Sequence, residues 1–417
     1  MDVVASSAML RPFESLPDPR AHNILHPLPS LLLIAIMAIV CGAPDWQSVS
    51  QWARAKLKWL ITFLDLPHGV PSHDTFCRLF VRLDPDAFER CFLQWTADLM
   101  QTSGGKLIAI DGKTLRRSFD TAHRKNAIHL VSAWCQQNHL VLGQLATEEK
   151  SNEITAIPKL LELLDLNNAT VSIDAMGCQK NIAQKICDGG GDYLLAVKDN
   201  QKTLHEDVRF FLDDAIEQNF DGLKHVTCQT TDADHGRLEQ RRLWASADVD
   251  WLKQQGHDWP GLRGIVCVEC ERLVFGQASP TVQRRYYITS HDPHTIGGDV
   301  LLAHVRGHWG VENQLHWQLD VSFREDERRL RKGHGAENFS RLCRLALNLL
   351  KSEKSLKLGI ANKRLNCGWD RDYLLKVLMN LGCVHAIALR SPYTYLVFVR
   401  TSGTMPRIPR PPNAGAL

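Results

Sequence analysis

The apolar positions change period along the chain, and the changes divide it. From residue 28 to residue 100 they recur at helical spacing. The strongest apolar run, Leu28–Val40, opens this stretch; Phe76, Leu79, Phe80 and Leu83 follow later, behind Ser72, whose hydroxyl can accept from the free amides of a helix start. Asp84-Pro85 supplies another helix start, with Phe88, Phe92, Trp95 and Leu99 behind it. Two helices meeting at so tight a junction predict either a helix-turn-helix that reads DNA or a small helical packing unit. After Gly104-Gly105 strand signals take over: strands over 106–111 and on both sides of a turn near Gln137-Asn138, with a polar, basic loop over 112–125. A helix over 153–166, a strand ending at Asp174, another helix and a strand over 193–198 complete the series. Neighbouring strands followed by alternating helix and strand describe a mixed α/β sheet.

Residues 201–292 are too many for a structureless loop in a compact domain. They carry a helix pattern over 203–216 and β-like runs over 263–274 and 284–288, so a mostly β inserted subdomain is expected. A helix over 301–318 and an amphipathic helix over 339–350 follow. Gly307 and Gly310 each weaken the first by about 1 kcal/mol relative to alanine, and permit close approach of another backbone or of DNA. The expected division is an irregular segment 1–27, a helical domain 28–103, an α/β domain 104–350 with its insertion, and an extension 351–417 ending in a Pro-rich tail.

Composition narrows the classes. The chain has 417 residues, 44% apolar and 23% charged, which excludes disorder and fits two or three units. A net charge of +3 gives no global nucleic-acid signal, but Arg324 to Arg364 holds 12 Lys/Arg against five Asp/Glu, either a phosphate-contacting surface or a solvated helix face. The 12 cysteines lack the regular spacing of a disulfide framework and suit a reducing compartment. Cys267 and Cys270 form one CxxC without partners at zinc-finger spacing. The run Leu28–Val40 is interrupted by Pro29 and is too short to span a bilayer, so a cytoplasmic protein without a membrane partner is expected.

Three acids stand out. Asp111 ends the apolar run 107–110, Asp174 ends the alternating run 171–173, and Glu312 falls in the apolar stripe of its helix, near Val305 and Leu319 on an α-helical wheel. Any one of them could be a solvated strand-end acid or a salt-bridge partner. Together they suggest a magnesium site for phosphoryl transfer, because hard divalent ions prefer carboxylate oxygen. His308, Glu312 and His316, four apart on one helix face, form a rival zinc set, although not in the HExxH arrangement.

Longer motifs carry a resemblance. LPDPRAHNILHPL, CGAPDWQSVSQWA and GVPSHDTFCRLFVRLDP, then IAIDGKTLRRS, VSIDAMGCQKNIA and RGHWGVENQLHWQLDVSFREDE, are similar to blocks of the bacterial insertion-sequence DDE transposases, in the branch that includes the H-repeat-associated proteins. The resemblance runs from about residue 13 to residue 350. It implies a ribonuclease H-like sheet with acids on adjacent strands, preceded by a transposase-associated helical domain. It also implies an enzyme that binds the terminal repeats of its element as double-stranded DNA, acts as a homodimer, and cuts and joins those ends to target DNA. The implied catalytic and metal residues are Asp111, Asp174 and Glu312, with two Mg2+ or Mn2+ ions, Asp111 bridging them. Where the wider group often has Tyr, Arg, Glu and Lys around the third acid, this chain has Val305, His308, Glu312 and Leu319. Candidate DNA contacts are Lys113, Arg116, Arg117, Lys198, Arg306 and His308. A nuclease without strand joining, and an inactive remnant that only binds DNA, are the alternatives.

Overall fold

The computed structural model describes residues 9–21, 24–99, 106–119, 126–147, 153–234 and 236–379. The Gly104-Gly105 boundary, His235 and the Pro-rich tail lie outside these residues. Nine strands form one sheet: β1 (Lys106–Thr114), β2 (His129–Cys135), β3 (Leu140–Thr147), β4 (Ala169–Ile173), β5 (Asp192–Val197), β6 (Val226–Asp234), β7 (Arg237–Ser246), β8 (Gly264–Val274) and β9 (Thr281–Thr289). Their order is β3-β2-β1-β4-β5-β9-β8-β7-β6. β1, β2 and β3 are antiparallel neighbours, whereas β4 and β5 run parallel to β1. This is a mixed α/β domain with helices on both faces, as the order of sequence periods predicts. The sequence of β2 reads HLVSAWC because every one of its residues is buried, and a strand covered on both faces need not alternate.

The inserted residues do not form a subdomain of their own. β9 pairs antiparallel with β5, and β8, β7 and β6 add outward in turn. The physical reason is the free edge of β5: its unpaired amides and carbonyls are a template for another strand, and the insertion supplies four. β6 and β7 escape the sequence reading because β6, VTCQTTDAD, is nowhere fully buried and has no apolar alternation to detect.

The helices between residues 28 and 99, within the stretch 28–103 expected as a separate domain, share a core with the sheet. Leu28–Val40 is buried along nearly its whole length and packs on the helix Gly335–Ser352. The cluster they build includes Phe76, Phe80, Phe88, Phe92 and Trp95, together with Ala109, Trp134 and Val141 from the sheet and Val311, Leu315 and Leu319. Leu28–Val40 spans about 20 Å, short of the ~30 Å of a bilayer core, and no helix among the described residues is long and apolar enough to cross a membrane. Ser72 caps the helix His73–Arg82 as predicted, accepting from the Thr75 amide. The carboxamide of Asn338 donates to the Phe80 and Leu83 carbonyls at the other end of that helix. At the tight junction before Pro85–Leu99 both helices turn their aromatic faces inward, with Trp46 stacked 4.6 Å from Phe80. Helices Ile360–Trp369 and Arg371–Met379, absent from the sequence reading, pack on the same core.

Candidate functional site

The parallel pairing of β1 with β4 sets the first two acids. Its last aligned pair is Ile110 with Ile173, so Asp111 and Asp174 occupy the next positions on adjacent strands, about 4.8 Å apart in the pairing direction. Both isoleucines point into the core on one side of the sheet, and strand alternation sends the acids to the other. Asp174 is half-buried and caps the short 3-10 turn Ala175–Gly177, its carboxylate accepting from the Met176 and Gly177 amides at 3.1 and 3.4 Å. Asp111 lacks that relief. Burial pushes its carboxyl up to about 7, with the negative charges of Asp174, Glu312 and Glu153 adding to the effect against a hydrogen bond from the Gly112 amide.

Glu312 does not face the core. The helix Gly298–His308 continues into a π-helical stretch, Val311–His316, and then into Trp317–Val321. Within it the buried positions are Val311, Leu315 and Leu319; Glu312 is exposed beside them. An α-helical wheel extrapolated through a π segment loses phase, because the i→i+5 pattern holds more residues per turn, and that phase error put Glu312 in the stripe. Its charge nevertheless acts on Asp111. The two glycines let this helix settle onto the sheet: a Cβ on Gly307 would collide with Leu107, and one on Gly310 with Gln136.

The π segment is fastened to β1 on its far side. The Lys113 ammonium, buried two residues beyond Asp111, pairs with Asp320, with Asp326 at 3.2 Å and with Glu325 at 4.0 Å. Burial works to raise the Glu325 carboxyl, but Arg344 and Lys113 outweigh it and hold it below its ordinary value. His316, in the last turn of the π segment, sets Nδ1 3.4 Å from Asp111 Oδ2. Burial, with Arg344 and Lys113 nearby, pushes its imidazole down to about 3, so it is neutral at physiological pH. A cavity of about 360 Å³ opens here, lined by Lys113, Arg116, His129, His316, Asp320 and Asp326 among others. Sequence reasoning weighed His316 only as a zinc ligand and missed its contact with Asp111; its position four residues after Glu312 was the available signal.

The other expected contacts scatter. Arg116 and Arg117 are exposed beyond β1, Arg116 with Nε 3.1 Å from Asp326. Lys198 is exposed just past β5, at the same end of the sheet as Asp174. Arg306 is half-exposed and pairs with Asp232 at 2.9 Å. His308 has its Nδ1 3.0 Å from the Ser172 hydroxyl, and Lys113 is enclosed by carboxylates, so its ammonium is already engaged. Cys267 and Cys270 stand three residues apart on β8 and therefore on opposite faces, where they cannot grip one ion.

Chemically, this is a set of hard oxygen donors whose negative charges bear on Asp111, and Lys113, two residues along the strand, is held by other acids. Such a set suits a hard divalent cation, although no three Asp, Glu, His or Cys side chains among the described residues close around one point as they stand. Residues 10–96 match the DDE_Tnp_1-associated family, and residues 102–349 match the transposase DDE domain. YbfL and the H repeat-associated YhhI of Escherichia coli K12 are each 39% identical to the chain over 376 residues, covering 88% of it and 96% of the relative. An uncharacterized protein from the dhlA 3′ region of Xanthobacter autotrophicus is 45% identical over 304 residues, 70% of this chain and 99% of that one.

Proposed function

Because the chain belongs to the DDE transposases of bacterial insertion sequences, related to the H-repeat-associated group, we propose that it binds its element's terminal repeats, cleaves the DNA backbone there and joins the ends to target DNA. Asp111, Asp174 and Glu312 are its catalytic acids, on a ribonuclease H-like core made of β3-β2-β1-β4-β5. One observation carries the reading: parallel pairing sets Asp111 beside Asp174, and the charges of Asp174 and Glu312 both bear on Asp111.

In cleavage a water oxygen bonds to phosphorus and the bond to the 3′-oxygen breaks, leaving a 3′-hydroxyl; in joining, that 3′-hydroxyl loses its proton and its oxygen bonds to a target phosphorus, while the target strand's own 3′-oxygen leaves and is protonated. Asp111, Asp174 and Glu312 would hold a Mg2+ or Mn2+ ion, which would supply Lewis acidity for the displacement at phosphorus. The chain's own residues orient and anchor. The two amides on Asp174 hold its carboxylate in one rotamer. Neutral His316 steadies Asp111 without neutralising it, and the Lys113 ion pairs tie the Glu312-bearing helix to the strand that carries Asp111. Arg116, Arg117 and Lys198, at the open end of the sheet, are placed to meet phosphate oxygens.

The discriminating experiment compares two acids eight residues apart. Asp320 is engaged by Lys113, whereas Glu312 is exposed and its charge bears on Asp111, so Glu312 rather than Asp320 is the candidate ligand beside Asp111. Glu312→Gln is expected to lower Mg2+-dependent end cleavage by roughly 100-fold or more, about 2.7 kcal/mol of barrier, with end binding retained in a gel shift. Asp320→Asn leaves Lys113 with Asp326 and Glu325, and is expected to cost less than about tenfold in cleavage and a few degrees in melting temperature. The opposite ranking in folded proteins would overturn the assignment of the third acid. A wild-type chain that binds ends but never cleaves them would instead be a DNA-binding remnant.

A further inference from the structure

Three basic segments far apart in sequence lie against one another on the surface. The first is the exposed side of the helix His73–Arg82, with Arg78 and Arg82. The second is the loop at 328–334, where Arg329 and Lys332 are exposed. The third is the stretch beyond β1 that carries Arg116 and Arg117. Specific contacts join them. Gly333 comes so near the helix that a Cβ there would lie 2.5 Å from the Val81 carbonyl oxygen, and its φ of +48° is one that glycine adopts without penalty. The His334 amide donates to that same carbonyl at 3.1 Å. On the other side of the loop, Arg331 lies over the Phe119 ring at 4.8 Å and its Nε donates to the Arg117 carbonyl at 3.5 Å. The far end of this surface reaches the cavity beside Asp111 through Arg116.

We infer that Arg78, Arg82, Arg329, Lys332, Arg117 and Arg116 form one continuous phosphate-contacting ridge, along which a DNA duplex runs from the amino-terminal helices to the Asp111 site. The inference rests on the reading of the chain as a DNA-cleaving enzyme and adds the path of the duplex. The charge balance supports it. Neither the 328–334 loop nor the described 112–119 stretch contains an acid, and the His73–Arg82 helix has one, Asp74, against its two arginines. From outside the ridge, Asp326 meets Arg116 and the charge of Asp18 bears on Arg82. Guanidinium groups dominate the set and suit bidentate contact with phosphate oxygens. The anchoring is rigid: Asn338 fixes the end of the His73–Arg82 helix to the helix that follows the loop, so the ridge holds the duplex at one distance from the acids.

The test is equilibrium binding of the full-length protein to a fluorescein-labelled 30-base-pair duplex of arbitrary sequence, by anisotropy across a salt series. Each lost phosphate contact lowers the slope of log K against log salt by about 0.9. The double variant Arg329→Ala/Lys332→Ala is expected to reduce the slope by about 2 and to weaken binding at low salt by at least tenfold. Arg78→Ala/Arg82→Ala and Arg116→Ala/Arg117→Ala should act in the same direction. Arg209→Ala/Lys253→Ala, exposed cations on other helices, should leave the slope unchanged. Unchanged slopes in all three ridge variants, with wild-type melting temperatures, would overturn the ridge while leaving cleavage chemistry intact. Ridge variants with reduced slopes in a wild type that never cleaves would uphold the ridge and sink the enzymatic reading. A wild type that binds no duplex at low salt would overturn both.

Discussion

Asp111→Asn is expected to abolish metal-dependent cleavage and to raise the thermal stability of the metal-free protein. The loss of cleavage should be roughly three orders of magnitude, about 4 kcal/mol of barrier, since the charges of the other two acids bear on this residue and His316 lies against it. The gain in stability follows from the same surroundings. Burial first, and then the like charges of Asp174, Glu312 and Glu153, push the carboxyl up to about 7 from an ordinary value of 3.8. A raised folded-state value means that folding favours the protonated acid. Its stabilising contribution is complete below about pH 4 and is lost as pH rises through 7. At pH 8 the wild type therefore carries an ionised, uncompensated acid at a cost on the order of a few kcal/mol, and asparagine removes that cost. Melting curves in EDTA should show a gap between variant and wild type that widens from pH 4 to pH 7 and then levels off. Mg2+ should narrow it by stabilising the wild type alone. Equal melting temperatures at every pH, or cleavage at the wild-type rate, would remove Asp111 from the centre of the site.

The second large effect lies at the join between the amino-terminal helices and the sheet. Arg341→Met is expected to destabilise the whole chain by ~3–5 kcal/mol, because it leaves buried acids without their counter-charge. Arg341 is fully enclosed, with Nε 2.5 Å from Glu89 of the helix Pro85–Leu99 and NH2 3.1 Å from Glu337. The other Glu89 oxygen accepts from the Gln144 amide on β3 at 2.7 Å. Three elements thus meet at one buried pair. Glu89→Gln combined with Arg341→Met should recover part of the loss, and urea melts followed by tryptophan fluorescence and by far-UV circular dichroism should coincide for the wild type. Two separated transitions would mean that the helices fold as a unit of their own. With one shared core, a fragment beginning near residue 104 is expected to aggregate, because it exposes the surface that Leu28–Val40 covers.

The sequence by itself determined the kinds of element and where the first two acids stand. Strand signals around Asp111 and Asp174 are local properties of their apolar runs, but β1, expected to end at Asp111, continues to Thr114, because residues 111–114 still pair with residues 129–132 of β2. The Ser72 cap and the turn near Asn138 were legible for the same reason, since capping and turn geometry depend on a few adjacent residues. Nonlocal pairing lay beyond it. That the insertion would extend the sheet from β5 was decided by which strand edge stood open, and that Leu28–Val40 would bury itself on Gly335–Ser352 by which apolar faces remained uncovered. The exposure of Glu312 was decided by a π turn, which forms as the helix seats Gly307 and Gly310 against Leu107 and Gln136 and leaves no mark on the wheel. Lys113 shows the division most directly. Its position after Asp111 suggested a phosphate contact, but carboxylates arriving from more than two hundred residues away enclosed it, because a buried ammonium needs counter-charge and only the folded chain brings it.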